Sequence, residues 1–318
     1  MKAIHGAPGP LAWRAVPDPD PGPGEALVRV RAAGVNRADL AQRAGRYPPP
    51  PGASPILGLE VAGEVLDAPP ASGWRPGDRV HALLAGGGYA ERVAVPARML
   101  FPTPDGLTDV EAAALPEAHL TAFSNLAIEA ALRPGERVLI HAGASGVGTA
   151  AILQARALGA EVATTSSGAK APLCRGLGAT WAWDRHDPAW PARLRDAWGG
   201  VDVVLDPVGA SMVEANLDLL DVGGRLVWIS SLGGRAATLD VGVVMRKRLT
   251  VKGTTLRGRP LDAKITLRDA FHARFGADVA RGGLRLPIHA TYDVRRVEEA
   301  HAALRANATA GKVVLVVP

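Results

Sequence analysis

The sequence predicts an α/β chain: a doubly wound parallel sheet in its middle, and a β-rich domain assembled from what precedes and follows it. Three observations carry this. Arg137–Lys170 reads as apolar strand, glycine turn, helix and second strand. From about Ala118, apolar strands alternate with helical stretches, the pattern of a parallel sheet. Before about Glu117 the chain is instead rich in Pro, Gly and Val, in short alternating segments. The expected domains are 1–117 with 259–318, and 118–258.

Within the first segment Ala26–Ala32 alternates with a period of two, and Val61–Leu66 and Arg79–Leu84 are further strands. Pro76-Gly77-Asp78 turns the chain into the last of these, and Pro48–Pro51 is a rigid polyproline-like loop. The middle segment predicts helices at Ala118–Ala131 and Thr149–Leu158. Its strands are Val138–Ile140, Val162–Thr165, Val201–Leu205, Arg225–Ile229 and Leu249–Gly253. Past Gly258 come a helix at Ala263–Phe275, a strand at Ile288–Tyr292, a helix at Val294–Arg305 and a terminal strand at Val313–Val317 that rejoins the first domain.

The glycine turn bears on function. Gly143-Ala144-Ser145-Gly146-Val147-Gly148 lies between a strand and a helix, the context in which glycines let a backbone approach a pyrophosphate and helix N-terminal amides face that anion. The second strand then selects the nucleotide. An acid at its end serves ribose hydroxyls, but here the chain reads Thr165, Ser166, Ser167, with Lys170 following. Hydroxyls and an ammonium suit a 2′-phosphate, so the reading is NADPH; the competing one is a solvated Ser/Lys loop. Ligands of such sheets sit at the carboxyl ends of strands. That adds the turns holding Pro207 and Val208, after Asp206, and Ser230, Ser231 and Leu232. Their alternative is ordinary strand–helix connection.

Composition narrows the partners. The chain has 318 residues, 47% of them apolar, and a net charge of +5, which suits phosphate ligands. Its basic residues are scattered, without the clustered runs and interleaved aromatics of a nucleic-acid groove. Cys174 is the single cysteine, so neither an internal disulfide nor a Cys-rich structural zinc site can form. Met1–Ala7 lacks the apolar core of a signal peptide, and no apolar run approaches the ~20 residues that span a bilayer. The expectation is a cytoplasmic protein.

Several strings, nearly end to end, then point to a family: Ala33–Gly52, Ile56–Val65, Gly77–Pro96, Ala113–Leu126, His141–Gly148, Met245–Arg257 and Gly311–Leu315. Together they resemble the zinc-free quinone oxidoreductases of the medium-chain dehydrogenase/reductase superfamily. The closest resemblance is to the tumour-suppressor-inducible branch, with the zeta-crystallins more distant. The resemblance implies a GroES-like catalytic domain made from both chain ends, an inserted Rossmann domain, an active site in the cleft between them, and a homodimer joined through the Rossmann sheet edge. It places Thr121 on the diphosphate and nicotinamide side with the glycine turn. It places Ser166, Ser167 and Lys170 on the 2′-phosphate, and adds Lys312 as a cofactor contact. Arg185 stands where relatives often carry Tyr; it is either a second phosphate cation or a solvated surface residue.

Two departures set the chemistry. Where the zinc alcohol dehydrogenases of the superfamily carry a Cys and a His ligand, this chain has Asn36 and Leu59, so no metal is expected. His119 replaces an aromatic common in relatives; it either touches substrate or starts a helix facing solvent. Without a Lewis acid, ordinary ketones are poor acceptors. A quinone or an enone takes hydride unaided, because conjugation spreads the negative charge. The protein then positions the acceptor, excludes water and donates to the nascent oxyanion. Asn36 and Tyr47 are the candidate catalytic groups; the plainer readings are a turn cap and a loop-packing aromatic. Asp39 is read as orienting the loop, Glu60 as a structural hydrogen bond, and Cys174 as a buried helix residue. The leading function is NADPH-dependent quinone reduction on a small-molecule quinone or enone. The alternatives are reduction of an activated C=C bond in an enal, enone or enoyl thioester, and non-catalytic RNA binding.

Overall fold

The chain opens as a hairpin of β1 (Lys2–His5) and β2 (Ala12–Ala15). The eleven-residue β3 (Glu25–Val35) follows, with Ala26, Val28, Val30 and Ala32 turned inward and Arg29 exposed between them. Its last residues, Ala33, Gly34 and Val35, are all buried, so the strand passes from one solvated face to burial on both faces. Helix α1 (Arg37–Arg43) starts directly after it. Strands β4 (Glu60–Asp67), β5 (Arg79–Leu83), β6 (Arg92–Pro96) and β7 (Leu100–Pro102) then build an antiparallel sheet on β3. The five-residue α2 (Asp109–Ala113) is capped reciprocally by Thr108 and Glu111. Its Ala112 and Ala113 pack on Ala32, Ala62 and Val314, small side chains that let helix and sheet backbones approach closely. Helix α3 (Pro116–Phe123) continues as a π-helical stretch over Ser124–Glu129, where the Asn125 side chain donates to Thr121 O at 2.7 Å.

The second unit, Thr121–Thr255, is a six-stranded parallel sheet. Its elements alternate: β8 (Arg137–His141), α4 (Gly146–Ala157), β9 (Glu161–Ser166), α5 (Ala171–Gly176), β10 (Trp181–Asp184), α6 (Trp190–Trp198), β11 (Val201–Asp206), α7 (Val213–Leu219), β12 (Leu220–Trp228), α8 (Val241–Lys247) and β13 (Thr250–Gly253). The strand order β10-β9-β8-β11-β12-β13 reverses direction between β8 and β11, the topological switch point where such sheets bind ligands. This is a Rossmann-type sheet. Leu139, Ala163, Val204 and Leu226 of the sheet form one core with Trp190 and Leu194 of α6 and Val213 and Leu217 of α7.

The first unit comprises Met1–Leu120 and Leu256–Pro318. Its carboxyl-terminal part contains the twenty-residue α9 (Leu261–Ala280), β14 (Ile288–Asp293), α10 (Val297–Arg305) and β15 (Lys312–Val316). Strand β15 runs antiparallel to β3 and parallel to β14, completing a sheet ordered β14-β15-β3-β4-β5-β7, with β6 also paired to β3. The chain is α/β, with a GroES-like unit and a parallel-sheet unit. The computed structural model describes residues 1–7 and 9–318. Among the described residues no helix is long and apolar enough to cross a membrane.

Candidate functional site

Strand register assembles a buried polar cluster in the first unit. Val313 pairs with Val35, so Lys312 stands opposite Asn36, the residue after β3. Ala33 pairs with Val61, so Glu60 stands opposite Gly34. Lys312 and Glu60 are almost wholly buried, at 2% and 0% side-chain exposure, and the ammonium Nζ lies 2.5 Å from Glu60 Oε1. Asn36 bridges them: its Nδ2 donates to Glu60 Oε1 at 2.8 Å, and its Oδ1 accepts from Lys312 Nζ at 2.7 Å. The other carboxylate oxygen, Glu60 Oε2, accepts from the backbone N–H of Glu117 at 2.9 Å. The glycine opposite makes the space: a Cβ on Gly34 would lie 2.1 Å from Glu60 Oε1.

Asn36 occupies the N-cap position of α1, but its amide oxygen and one amide hydrogen engage Lys312 and Glu60 while its backbone N–H donates to Asp39 Oδ2 at 2.7 Å. Asp39 is fully buried and also accepts from Gly58 N at 3.1 Å and from the Tyr89 hydroxyl at 3.0 Å. It therefore ties α1 to the Gly58 loop. Burial raises its carboxyl to about 6 against the pull of these donors. Tyr47 is half-buried beneath Arg257, whose Cζ lies 5.4 Å from the ring centroid. Arg257 is itself held by Ala85 O, Tyr47 O and Gln42 Oε1. Burial and then the neighbouring Glu117 charge push the Tyr47 hydroxyl up from its ordinary range.

Glu117 is the residue that the sequence reading passed over. Burial, with the Glu60 charge beside it, pushes its carboxyl up to about 8. His119 corrects one of the two sequence readings, the helix start facing solvent. It is fully buried, with Nε2 at 2.9 Å from Leu284 O and its ring stacked on Phe271. It does not face solvent, and burial lowers it to about 4, so it is neutral.

In the second unit the glycine turn has the expected form. Ala142 adopts φ +52, a left-handed conformation at the strand-to-helix corner. Ser145 caps α4, accepting from Gly148 N at 3.0 Å, and leaves the N–H groups of Gly146 and Val147 without intrahelical acceptors. A Cβ at Gly148 would lie 2.3 Å from Ala142 O, and one at Gly143 2.7 Å from Thr164 Cβ, so both positions need glycine. Ala144 is buried in the same turn. Thr121 Oγ1 is buried without a hydrogen-bond partner among the described residues. A helix N-terminus at the switch point and an orphaned hydroxyl fit a dinucleotide.

A buried polar chain lies at the strand ends. Thr165 Oγ1 meets His141 Nδ1 at 2.8 Å, and His141 Nε2 meets Asn216 Oδ1 at 2.7 Å. Asn216 Nδ2 donates to Asp206 Oδ2 at 2.9 Å, which Trp228 Nε1 also reaches at 3.1 Å. Asp206 Oδ1 accepts from Val208 N and Gly209 N, fixing the turn after β11. That turn engages the one after β12: Leu232 N donates to Pro207 O, and Gly233 N to Val208 O. Ser230, Ser231 and Leu232 are exposed.

The end of β9, read from the sequence as selecting the nucleotide, is more mixed than that reading. Ser166 is buried and donates to Ser167 O, while Ser167 and Lys170 are part-buried. Arg185 is exposed, and its N–H donates to Ser166 O at 2.7 Å. However, β10 pairs Asp184 with Ser166, and a Cβ on Gly168 would lie 2.7 Å from Asp184 Oδ2. An acid absent from the local string is brought there by strand pairing. Lys312, carried over as a cofactor contact, lies in the first unit on Asn36 and Glu60. Cys174 is buried in α5.

Comparison with known proteins gives the family. Residues 22–105 match the alcohol dehydrogenase GroES-like domain, and residues 146–270 match the zinc-binding dehydrogenase family. A quinone oxidoreductase from Thermus thermophilus, solved also with NADPH, is 37% identical, with 99% of this chain and 100% of that one covered and a TM-score of 0.85. This chain belongs to the medium-chain dehydrogenase/reductase superfamily. Its relatives are consistent with the zinc-free quinone oxidoreductase family that the sequence resembles. CurF ER cyclopropanase from the curacin A pathway is 25% identical over 100% of this chain and 99% of that one, with a TM-score of 0.87. Spectinabilin polyketide synthase system protein NorB from Streptomyces orinoci is 38% identical over 303 residues. The chain spans 13% of that protein, and between 5% and 14% of the other curated relatives compared. The chain is an oxidoreductase with a nicotinamide-dinucleotide fold.

One of the matched families is named for zinc, and the donor set does not fit it. Among the described residues no group of three or more His, Cys, Asp or Glu side chains could hold a metal ion. Asn36 and the buried alkyl Leu59 supply no imidazole or thiolate, and the Lys312 ammonium already occupies Glu60. Protein purified without chelator should carry far less than one zinc per chain by elemental analysis.

Two substitutions test the geometry. Gly34→Ala should push Glu60 off Lys312 and leave an uncompensated buried charge, at a cost of about 3–5 kcal/mol. Denaturant unfolding reads this directly, and unchanged stability would show that the pair tolerates separation. At the other site, Asp184→Asn should tighten NADPH relative to NADH by removing the carboxylate that strand pairing sets beside Ser166. Lys170→Ala should weaken NADPH by about 1.5–3 kcal/mol, the worth of a hydrogen bond to a charged group. Equal changes for both nucleotides, by calorimetry, would remove these residues from phosphate recognition.

Proposed function

We propose that this chain is an NADPH-dependent reductase of conjugated carbonyl acceptors, with a quinone as the preferred class. The observation that carries the reading is the Asn36–Lys312–Glu60 cluster. Where a metal-dependent relative would need Lewis-acid ligands, this chain holds an amide oriented on both sides by a buried ion pair. Reduced nicotinamide supplies the hydride when bound. The protein's part is to fix the acceptor and stabilise the charge that develops on its oxygen. Asn36 Nδ2 gives one N–H to Glu60 and retains a second for an acceptor oxygen. Tyr47 supplies an aromatic wall and a hydroxyl that makes no side-chain hydrogen bond among the described residues. Ser166, Ser167, Lys170 and Arg185 support the 2′-phosphate, with Asp184 as the opposing charge.

The similarity to polyketide synthases supports a second reading, reduction of the C=C bond of an enoyl thioester. A panel of benzoquinones, naphthoquinones, enals and enoyl thioesters, followed by NADPH oxidation, separates the two. Turnover of thioesters alone would replace the first reading with the second.

Asn36→Ala should lower kcat for the preferred acceptor and leave NADPH affinity nearly unchanged. An oxyanion-hole donor is worth about 10²–10³-fold, and a quinone, which spreads its charge, should sit at or below the lower end. Tyr47→Phe should cost less, since ring packing under Arg257 survives. Unchanged kcat in both folded variants would move the acceptor site elsewhere.

A further inference from the structure

Reducing a quinone to a hydroquinone takes a hydride and one proton, and so far no residue supplies the proton. The buried titratable groups of the first unit can be sorted by what already occupies them. Lys312 is committed to Glu60 and Asn36. His119 Nε2–H donates to Leu284 O, its ring is stacked on Phe271, and it is neutral. Asp39 is enclosed by Asn36 N, Gly58 N and the Tyr89 hydroxyl. Arg257 is fixed by three acceptors. Glu117 is different. Its backbone N–H anchors it on Glu60, yet its carboxyl makes no side-chain hydrogen bond or ion pair among the described residues. Its side chain is only part-buried, so solvent can return a proton to it.

The charged and titratable groups around that carboxyl come from several elements. Glu60 is on β4, Lys312 on β15 and Asp39 on α1; Arg257 precedes α9, and Tyr47 lies in the loop after α1. Lys264, on the first turns of α9, also senses it. Glu117 thus stands beside the two residues assigned to the acceptor: Tyr47 feels its charge, and Asn36 shares Glu60 with its backbone.

We propose that Glu117 is the proton donor of the reduction, delivering the hydrogen that completes the acceptor after hydride arrives. The inference rests on the acceptor site at Asn36 and Tyr47. The balance is simple. The hydride brings both electrons and one hydrogen. The Glu117 O–H bond breaks and an O–H bond forms on the acceptor oxygen, or a C–H bond on the carbon alpha to the carbonyl of an enone or enoyl thioester. The Glu117 carboxylate then takes a proton from water. Tyr47 is the rival donor, but burial makes its hydroxyl a weaker acid than a free phenol. The Glu117 carboxyl, raised to about 8, is protonated at neutral pH and matched to proton transfer there.

The first measurement uses the protein without nucleotide. Infrared titration should show a protonated carboxyl that ionises near pH 8 and is absent from Glu117→Gln. Asp39, raised to about 6, titrates lower and serves as an internal marker. The second measurement is kcat against pH for the best acceptor in the panel. Wild type should lose activity as pH rises through about 8. Glu117→Gln should lose roughly 10²-fold in kcat at neutral pH, together with that alkaline limb, while KM changes little. Glu117→Asp should restore the limb in part. A Glu117 already ionised at pH 7, or a Gln variant with wild-type kcat and pH profile, would overturn the proposal. The infrared result on wild type stands even if the variant fails to fold. Running the kinetics on both a quinone and an enoyl thioester separates an error about Glu117 from an error about acceptor class, since the donor role applies to either.

Discussion

The rest of the first unit is arranged around one buried ion pair, Lys312 with Glu60. Two charges out of water cost several kcal/mol each before relaxation, and their attraction repays this only when every remaining donor and acceptor is met. The chain meets them with Asn36 on one oxygen and the Glu117 amide on the other. Each partner arrives by strand register: β3 with β15 sets Lys312 against Asn36, and β3 with β4 sets Glu60 against Gly34. A one-residue slip in either pairing would turn one charge to the opposite face of the sheet. The pair therefore penalises wrong registers strongly, and the glycine at position 34 follows from the space that Glu60 requires.

The second unit handles burial of polarity in another way. Its chain from Thr165 through His141 and Asn216 to Asp206 and Trp228 contains a single formal charge, and each neighbour's donor meets an acceptor. Asn216 uses its N–H on Asp206, so its oxygen must accept from His141 Nε2, and Nδ1 then accepts from the Thr165 hydroxyl. The neutral ring agrees with the lowering that burial imposes on His141. This network fixes the carboxyl ends of β8, β9 and β11, and its one carboxylate is met by neutral N–H donors rather than by a cation.

What was legible in the sequence was local. The alternation of Ala26–Ala32, the apolar strands of the middle segment and the Gly143–Gly148 turn depend on neighbours a few residues apart, and their elements are present in the structure. The hairpin of β1 and β2 and the four-residue β10 carried too little periodicity to read. Missing β10 hid Asp184, which reaches Ser166 only through strand pairing. The predicted helix over Ala118–Ala131 gives way to a π-helical stretch after Phe123, where the Asn125 side chain takes a backbone carbonyl. Glu60 was legible as a structural hydrogen-bonding group, but not as half of a buried ion pair, because its partner lies 252 residues away. Glu117 was invisible for the same reason: nothing in a Pro-Glu-Ala string at a helix start announces that a second carboxylate will be buried against it.

The charge balance of that cluster bears on which acceptors it can serve. Asp39, Glu60 and Glu117 bring three carboxyls together, and Lys312 neutralises the one it touches. If all three were ionised, an oxyanion forming near Asn36 would meet net negative charge and its transition state would rise. Keeping Glu117 protonated lowers that penalty and leaves an acid in the cluster. The same arrangement disfavours acceptors that enter already anionic at the reacting end, because they would press on Glu60 before any proton could move. A neutral conjugated carbonyl avoids this conflict: it binds uncharged, becomes negative only as hydride arrives, and meets a proton at that moment. The burial that makes Glu117 expensive to ionise is thus the property that suits the site to such an acceptor.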